Sequence, residues 1–456
     1  MADFKAGVTE YGAVANEEAV QTAAFQAAID ACFLAGGGEV VVPAGTYVIG
    51  DIRLRSNVTL HLLENAVLLG STNPRDYLNI FSDQLEPLPE EQLSRALWVG
   101  PRMWLAMNGG FKKHLYTVGS YWNYGLVRAA YAENIAVIGE AGSRIDGRNV
   151  FDRCGEENYR GPHGFNMHFC KNLRFEGYTV QNTGNWAHAI FQSENVTFKN
   201  LTVLAGHDAL HTRACTNVEI SDCKLITGDD CVAGFDNLHV RIKNCEISSA
   251  CSAFRYGGYD ILIEDCNIYG PCPYQFRGNF LREEKEASAE VSVRARRNML
   301  SCLTNFVTDD LPVRHAPGKI VMRNCTVKNA DRMFHMNLSG NESWQRGNPP
   351  TDVTFENITV EGCKMGFTAY GTPEVPFRLT LKNVDYACAE EHAEYPFVRG
   401  AHIAEVCLEN VKIAGYTREE LVRSWSEGGE VIAKNTDLGD LTPIVRATEE
   451  FVCKPV

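Results

Sequence analysis

The 456-residue chain has no run of Lys and Arg, and its net charge at pH 7 is −14. A phosphate backbone is held by clustered cations, so no nucleic-acid partner is expected. Nowhere do roughly 18 apolar residues follow one another, the length that crosses a bilayer as a helix, so no membrane partner is expected either. The first residues, Met1–Ala2–Asp3–Phe4–Lys5, lack the basic-then-apolar order of a signal peptide. Regular cysteine spacing is missing too. Of the 16 cysteines, Cys223, Cys245, Cys266 and Cys325 sit inside apolar runs, where a thiol behaves as a small buried hydrophobe. These absences predict reduced core thiols and a cytoplasmic setting. A chain trimmed of its signal would start in the same way, which leaves secretion as the alternative.

What is present begins with a helix. Asn16 is placed to cap one running from Glu17 to Leu34, with an apolar stripe of Val20, Ala24, Ala27, Ala28 and Ala31 and a stop at Gly36–Gly37–Gly38. Short β-rich pieces follow at 39–50 and 58–62, punctuated by Pro, Gly and Asn. Residues 1–70 are therefore expected to form a terminal cap and the first coils of a repeat structure. Residues 71–130 read as a long insertion rich in aromatics (Trp98, Trp104, Tyr116, Tyr121, Trp122, Tyr124), serving either function or its own packing.

The repeat is clearest in Asn172–Gly177, Asn195–Asn200, Asn217–Asp222, Leu238–Asn244 and Asp260–Asp265. Aligned on their last residues, these segments are spaced by 23, 22, 22 and 21. The same template returns at Lys319–Asn324, Asp352–Asn357, Leu379–Asn383 and Val406–Asn410. One alternating strand per 20–25 residues is a solenoid signature. Val, Ile and Phe point inward, while Lys, Glu, Arg and Thr point outward. The closing Asn or Asp suits a left-handed corner and can hydrogen-bond to its equivalent one coil on. That ladder also accounts for the Asn-x-Ser/Thr matches at Asn195, Asn200 and Asn357 without glycosylation. No long amphipathic helices separate the strands, which excludes βαβ sheets. The expected fold is all-β, a single parallel β-helix domain over 1–456. Its coils would fill 131–415, with a second insertion at 271–316 and a cap or tail at 416–456. The second insertion mixes Arg277, Arg282, Arg294, Arg296 and Arg297 with glutamates, as an exposed helix laced with ion pairs or as a carboxylate grip. Thr417–Arg418–Glu419–Glu420 matches a capping box opening a short helix.

Three acids dominate the middle of the chain: Asp208 in Gly206–His207–Asp208, then Asp229 and Asp230 in Gly228–Asp229–Asp230–Cys231–Val232–Ala233. A coil of 21 to 23 residues brings Asp208 one turn below the pair. Glycoside hydrolysis needs a protonated carboxyl for the leaving oxygen and an ionised one for water, and repulsion within such a cluster keeps one proton available. Turn-forming aspartates like Asp222 and Asp265 are the plainer alternative. A metal site from His207, Asp208, His211, Cys231 and Cys251 is a third, but no CxxC or HxxxH pattern with a second half supports it, so no metal and no cofactor are expected.

These motifs resemble the family 28 glycoside hydrolases, the polygalacturonase-like enzymes. The resemblance runs from Val8 to about Asn410. It takes in Tyr11–Gly12–Ala13, Val42–Pro43–Ala44–Gly45–Thr46–Tyr47, Ile145–Asp146–Gly147, Arg160–Gly161–Pro162–His163, Asn185–Trp186–Ala187–His188 and above all the Asp229–Asp230–Cys231–Val232–Ala233 run. It implies a right-handed parallel β-helix and inverting hydrolysis of pectin-derived or related uronate- or rhamnose-containing oligosaccharides. Asp229 would be the general acid, with Asp208 and Asp230 activating water. His207, His188, Cys251, Arg255 and Arg277 are the expected substrate contacts. The chain departs from the family in having Gly206–His207 where Asn-Thr is usual and Ala250–Cys251–Ser252 where a histidine between glycines is usual. Of the family's Arg-x-Lys, Gln275–Phe276–Arg277 keeps only Arg277. The 71–130 insertion suggests a walled groove and exo action. A non-catalytic carbohydrate-binding β-helix and a lyase or epimerase on the same fold are the rival expectations.

Overall fold

The computed structural model describes residues 4–78, 124–153, 155, 159–307, 314–316, 318–338, 345, 347, 350–389, 395–416, 420–439, 441–445 and 452–455. The five aromatics expected in the first insertion at 98, 104, 116, 121 and 122 lie outside these residues. The fold is a right-handed parallel β-helix. Two compact units share the chain. Unit 1 is Met1–Asp229 with Tyr274–Arg296, and unit 2 is Asp230–Pro273 with Arg297–Val456.

In unit 1 each coil lays down three short strands, and every strand pairs in parallel with its equivalent one coil on. Phe165 pairs with His188 and His188 with Leu210; Leu173 pairs with Val196 and Val196 with Val218; Val180 pairs with Val203 and Val203 with Leu225. The period is thus the one the sequence repeat implies. Alternation along Glu194–Lys199 buries Val196 and Phe198 and leaves its charged ends out. Equivalent inward positions then stack: Phe175 lies flat on Phe198 at 5.2 Å and edge-on to Phe165 at 5.3 Å.

The corners are left-handed, as expected, on both sides of the repeat strand. Asn172, Asn195 and Asn217 open it at φ 56, 56 and 57, and Asn200 and Asp222 close it at 49 and 57. Asn tolerates this region because its short polar side chain hydrogen-bonds locally. The inter-coil amide ladder of unit 1 runs along the opening corner, where the expectation put it at the closing one. Asn217 donates to Asn195, Asn195 to Asn172, Asn172 to Asn134 and Asn134 to Asn57, at 2.8 to 2.9 Å. Both amides there are solvent-facing and free of strand pairing, so they can chain.

The N-terminal helix, α1, spans Thr22–Leu34, shorter than expected, and buries Phe25, Ala28, Ile29 and Cys32. The expected stripe is rotated: Val20 precedes the helix and is 45% exposed. Phe25 and Ile29 have more apolar area to remove from water than the alanines, and they decide the face. Asn16 does not cap α1; it sits at φ 65 and its side chain accepts from the Thr46 amide. Gly36 and Gly37 at φ 90 and 129 end the helix as expected.

Both insertion boundaries are tighter than the sequence suggests. Gly125–Ala130, within the expected first insertion, is a solenoid strand pairing with His163–His168. Ser301–Asn305, within the second, pairs with the strand at Ser252–Glu264. The exposed helix expected in the second insertion is α2, Arg282–Glu286, with Glu286 2.6 Å from Arg153 and 3.9 Å from Arg282.

Unit 2 repeats the pattern. Val240, Ile261, Ile320, Val353, Leu379, Val406 and Val431 follow one another in register. Here the amide ladder runs along the closing corner, from Asn410 through Asn383 and Asn357 to Asn324 at 2.9 to 3.0 Å. The short helix expected to open at Thr417 is not formed at its last capping residue: Glu420–Ser424 is a strand, and Glu430–Lys434 and Val452–Pro455 extend the ladder beyond it. An unpaired edge offers Leu421 and Val422 burial that a solvated helix would not, so tertiary pairing overrides the local capping signal. The described cysteines are free thiols, buried except for the half-buried Cys251 and Cys407.

Phe198→Ala is expected to cost about 3–5 kcal/mol by opening a cavity in the ring stack. Asn195→Ala should cost about 1–2 kcal/mol through lost ladder bonds and a strained left-handed alanine. Urea titrations measure both, and equal losses would show that corners and core contribute alike.

Candidate active site

The corner at 206–208 follows the strand Thr202–Ala205, and that at 228–229 follows Lys224–Thr227. Ala205 pairs with Thr227, so the two corners are one coil apart, about 4.8 Å. Counting from that pair, His207 lies opposite Asp229, and Asp208 falls one residue beyond it. Both corners open on glycine for a steric reason. A Cβ on Gly206 would sit 2.2 Å from Cδ of Arg277, and one on Gly228 would sit 2.0 Å from the Gln275 carbonyl oxygen. The Tyr274–Arg296 segment lies close over this place, and only glycine leaves it room.

Asp208 is 3% exposed. Its Oδ2 lies 2.7 Å from Nδ1 of His211, whose Nε2 lies 2.6 Å from Nε of Arg213. A guanidinium has no acceptor, so Nε2 must accept and Nδ1 must carry the proton. His211 is thereby locked as the neutral tautomer that donates to an ionised Asp208. The imidazole is stacked on Trp186 at 3.9 Å, and the Arg213 guanidinium covers the same ring at 4.6 Å. Side chains held in this way leave the carboxylate little freedom to turn.

Asp229 is 8% exposed, the most open of the three acids. Its Oδ2 is 3.5 Å from Nη2 of Arg160, whose Nη1 donates to Oδ1 of Asn185 at 3.1 Å. Arg160, Arg277 and Lys285 are each buried to more than nine-tenths. Burial pulls Arg277 down to about 10, and burial together with Arg160 and Arg277 pulls Lys285 down to about 8. His207 is buried among them; burial first, then Arg160, Arg277 and Lys285, hold it well below the usual histidine range. It is a neutral group inside a cationic cradle. Three buried like charges are costly alone and become favourable when an anion enters.

Asp230 belongs to unit 2 and is fully buried. Oδ1 accepts from the Ser252 amide at 3.0 Å, and Oδ2 lies 3.5 Å from Nη1 of Arg255. The Arg255 guanidinium lies 4.2 Å above the Phe306 ring. Cys251, half-buried, donates its amide to Oγ of Ser249 at 2.7 Å.

Of the expected contacts, His207 and Arg277 fall together in unit 1, and Cys251 and Arg255 lie near Asp230 in unit 2. His188 does not serve as a contact. It is fully buried inside the coil, flat against Phe165 at 4.6 Å, with Nε2 accepting from the Tyr178 hydroxyl at 3.2 Å. Strand alternation turns it inward, away from any ligand. Arg160, Lys285, Trp186, His211 and Arg213 were not expected as site residues. Arg160 and Trp186 stood within recognised motifs, and His211 three residues after an acid was a usable signal. Nothing local marked Lys285, about 78 residues from Asp208 in sequence and brought in by the insertion.

A model of the glycosyl hydrolases family 28 matches residues 112–251. A probable polygalacturonase of Vitis vinifera is 26% identical over 241 residues, covering 50% of this chain and 43% of that protein. An exo-poly-alpha-D-galacturonosidase of Dickeya chrysanthemi is 46% identical over 70 residues, 15% of this chain and 11% of that protein. The chain therefore spans less than half the length of either curated relative. Among solved structures, the family 28 exopolygalacturonase of Yersinia enterocolitica superposes with a TM-score of 0.60 at 17% identity, over 97% of this chain and 79% of that one.

His188 yields a stability test independent of any activity. Burial pushes it down to about 3, below its ordinary value of 6.5. The unfolded chain binds the proton first, so its contribution is complete above about pH 6.5 and is lost as pH falls toward 3. His188→Phe, which keeps the ring stack, should flatten the acid limb of a urea-midpoint profile by up to about 1.4 kcal/mol per pH unit.

Proposed function

With residues 112–251 belonging to the glycosyl hydrolases of family 28, we propose that the chain is an inverting glycoside hydrolase acting on uronate-containing, pectin-type oligosaccharides, and that it works from chain ends. The observation that carries this reading is the cationic cradle of Arg160, Arg277 and Lys285 around His207, with the most exposed acid at its edge. Such a cradle suits a sugar carboxylate. Arginine forks onto carboxylates bidentately, and the substrate's charge would relieve the repulsion that depresses Lys285.

In this reading Asp229 protonates the leaving glycosidic oxygen, since it is the carboxyl with an open face. Asp208 and Asp230 draw the proton from an attacking water. Asp208 is suited to that part because His211 and Arg213 hold it ionised and fixed in orientation. Water enters from the side opposite the leaving group, so the anomeric configuration inverts. Cleavage from chain ends is supported by the exo-acting relatives and remains part of the proposal.

Incubation with polygalacturonate and short uronate oligomers, followed by chromatography of products over time, tests the reading. Monomer or dimer release from the outset is expected, without the ultraviolet absorbance that a lyase product carries. Asp229→Asn should lower kcat by about 100- to 10,000-fold. An equally active Asp229→Asn variant would remove the acid assignment, and a wild type that cleaves nothing would favour a binding protein. His211→Phe keeps the stack on Trp186 but removes the donor to Asp208. It is expected to raise the pKa of the acidic limb of kcat/KM, because the ionised form loses its hydrogen bond.

A further inference from the structure

Unit 2 contains a cavity of about 560 Å³, within the range of about 300–1,000 Å³ usual for small-molecule sites. Its walls come from successive coils in register. Arg255 pairs with Thr304, Thr304 with His335, and His335 with Thr368, while Arg332 pairs with Met365 on the neighbouring positions. A polar row therefore runs along the coils in steps of about 4.8 Å. It starts at Arg255, the residue that meets Asp230 at 3.5 Å.

The cavity has more cations than anions: Arg255, Arg332 and Lys364 line it against Asp331, which holds Lys364 at 3.2 Å. Nη1 of Arg332 lies 3.0 Å from Nδ1 of His335. Since arginine only donates, Nδ1 accepts and Nε2 carries the proton, which makes His335 a neutral donor. Burial, then Arg332 and Arg399, push His335 down to about 4, in keeping with that tautomer. Hydroxyls of Ser252, Ser301 and Thr304 and the ring of Tyr395 complete a lining of the kind that holds sugars.

We propose that this cavity is a second uronate subsite, in which Arg332 and the Nε2–H of His335 grip the carboxylate of a sugar other than the one beside Asp229. The inference rests on the proposed action on uronate oligosaccharides and adds to it a second charged position in the substrate. A guanidinium and an imidazole N–H side by side match a planar carboxylate, and the hydroxyls match a sugar better than a free inorganic anion.

Calorimetric titration of the full chain with tetragalacturonate, its methyl ester and inorganic phosphate separates the possibilities. Arg332→Gln should weaken tetragalacturonate binding by about 10- to 100-fold and leave the ester unchanged, and Arg332→Lys should recover part of the loss. His335→Ala should lower the affinity less, and it serves if Arg332→Gln melts early. Variants that are folded and keep the wild-type preference for acid over ester overturn the subsite, as does loss of ester affinity in parallel. Phosphate that displaces the oligomer at equal affinity assigns the pocket to inorganic anions and also overturns it. The readout is binding, so it is independent of turnover. A chain that cleaves nothing yet loses acid preference in Arg332→Gln supports the subsite and sinks the hydrolase reading, and cleavage with an unaffected Arg332→Gln does the reverse.

Discussion

Every other feature of this protein depends on one constraint, the parallel register between successive coils. Once Leu173 pairs with Val196 and Val196 with Val218, each inward position stacks on its own kind and each outward position forms a row. Parallel pairing satisfies the backbone of a strand only if the next coil repeats its length. That is why the corners are held so tightly by left-handed Asn residues and by the amide ladders at 2.8 to 2.9 Å in unit 1. A corner of variable length would shift the strand by a residue and turn its apolar face outward.

The same regularity concentrates chemistry. Corners are where side chains leave the ladder, so acids one coil apart are brought close without any strand being distorted. The cost is electrostatic, and unit 1 meets it in two ways. Asp208 is anchored through His211 and Arg213 against Trp186, and Asp229 faces the buried Arg160. The cradle around His207 then has cations close enough to depress one another, which prepares it for an anionic guest.

Much of this was legible in advance. A spacing of 21 to 23 residues, with alternation inside each repeat, gives the fold and the neighbourhood of the acids from one-dimensional information. The left-handed corners followed from the conformational tolerance of Asn and Asp. Reading failed where two local signals competed. The helix buries Phe25 and Ile29 and leaves the alanine stripe less covered, because size outweighs periodicity among small residues. Glu420–Ser424 became a strand because an open edge was available to it. His188 looked like a ligand contact from its motif, yet strand alternation points it into the core.

What the sequence determined by itself is therefore what repeats: coil length, the inward and outward positions, and the order of the acids along the chain. What only the tertiary structure decided is the company those acids keep. Arg277 and Lys285 reach Gly206 and His207 from an insertion far along the chain, and glycine at 206 and 228 is the space left for that approach. Arg160 reaches Asp229 across about 69 residues. Such contacts follow from how loops fold back over a regular scaffold, and no local periodicity encodes that.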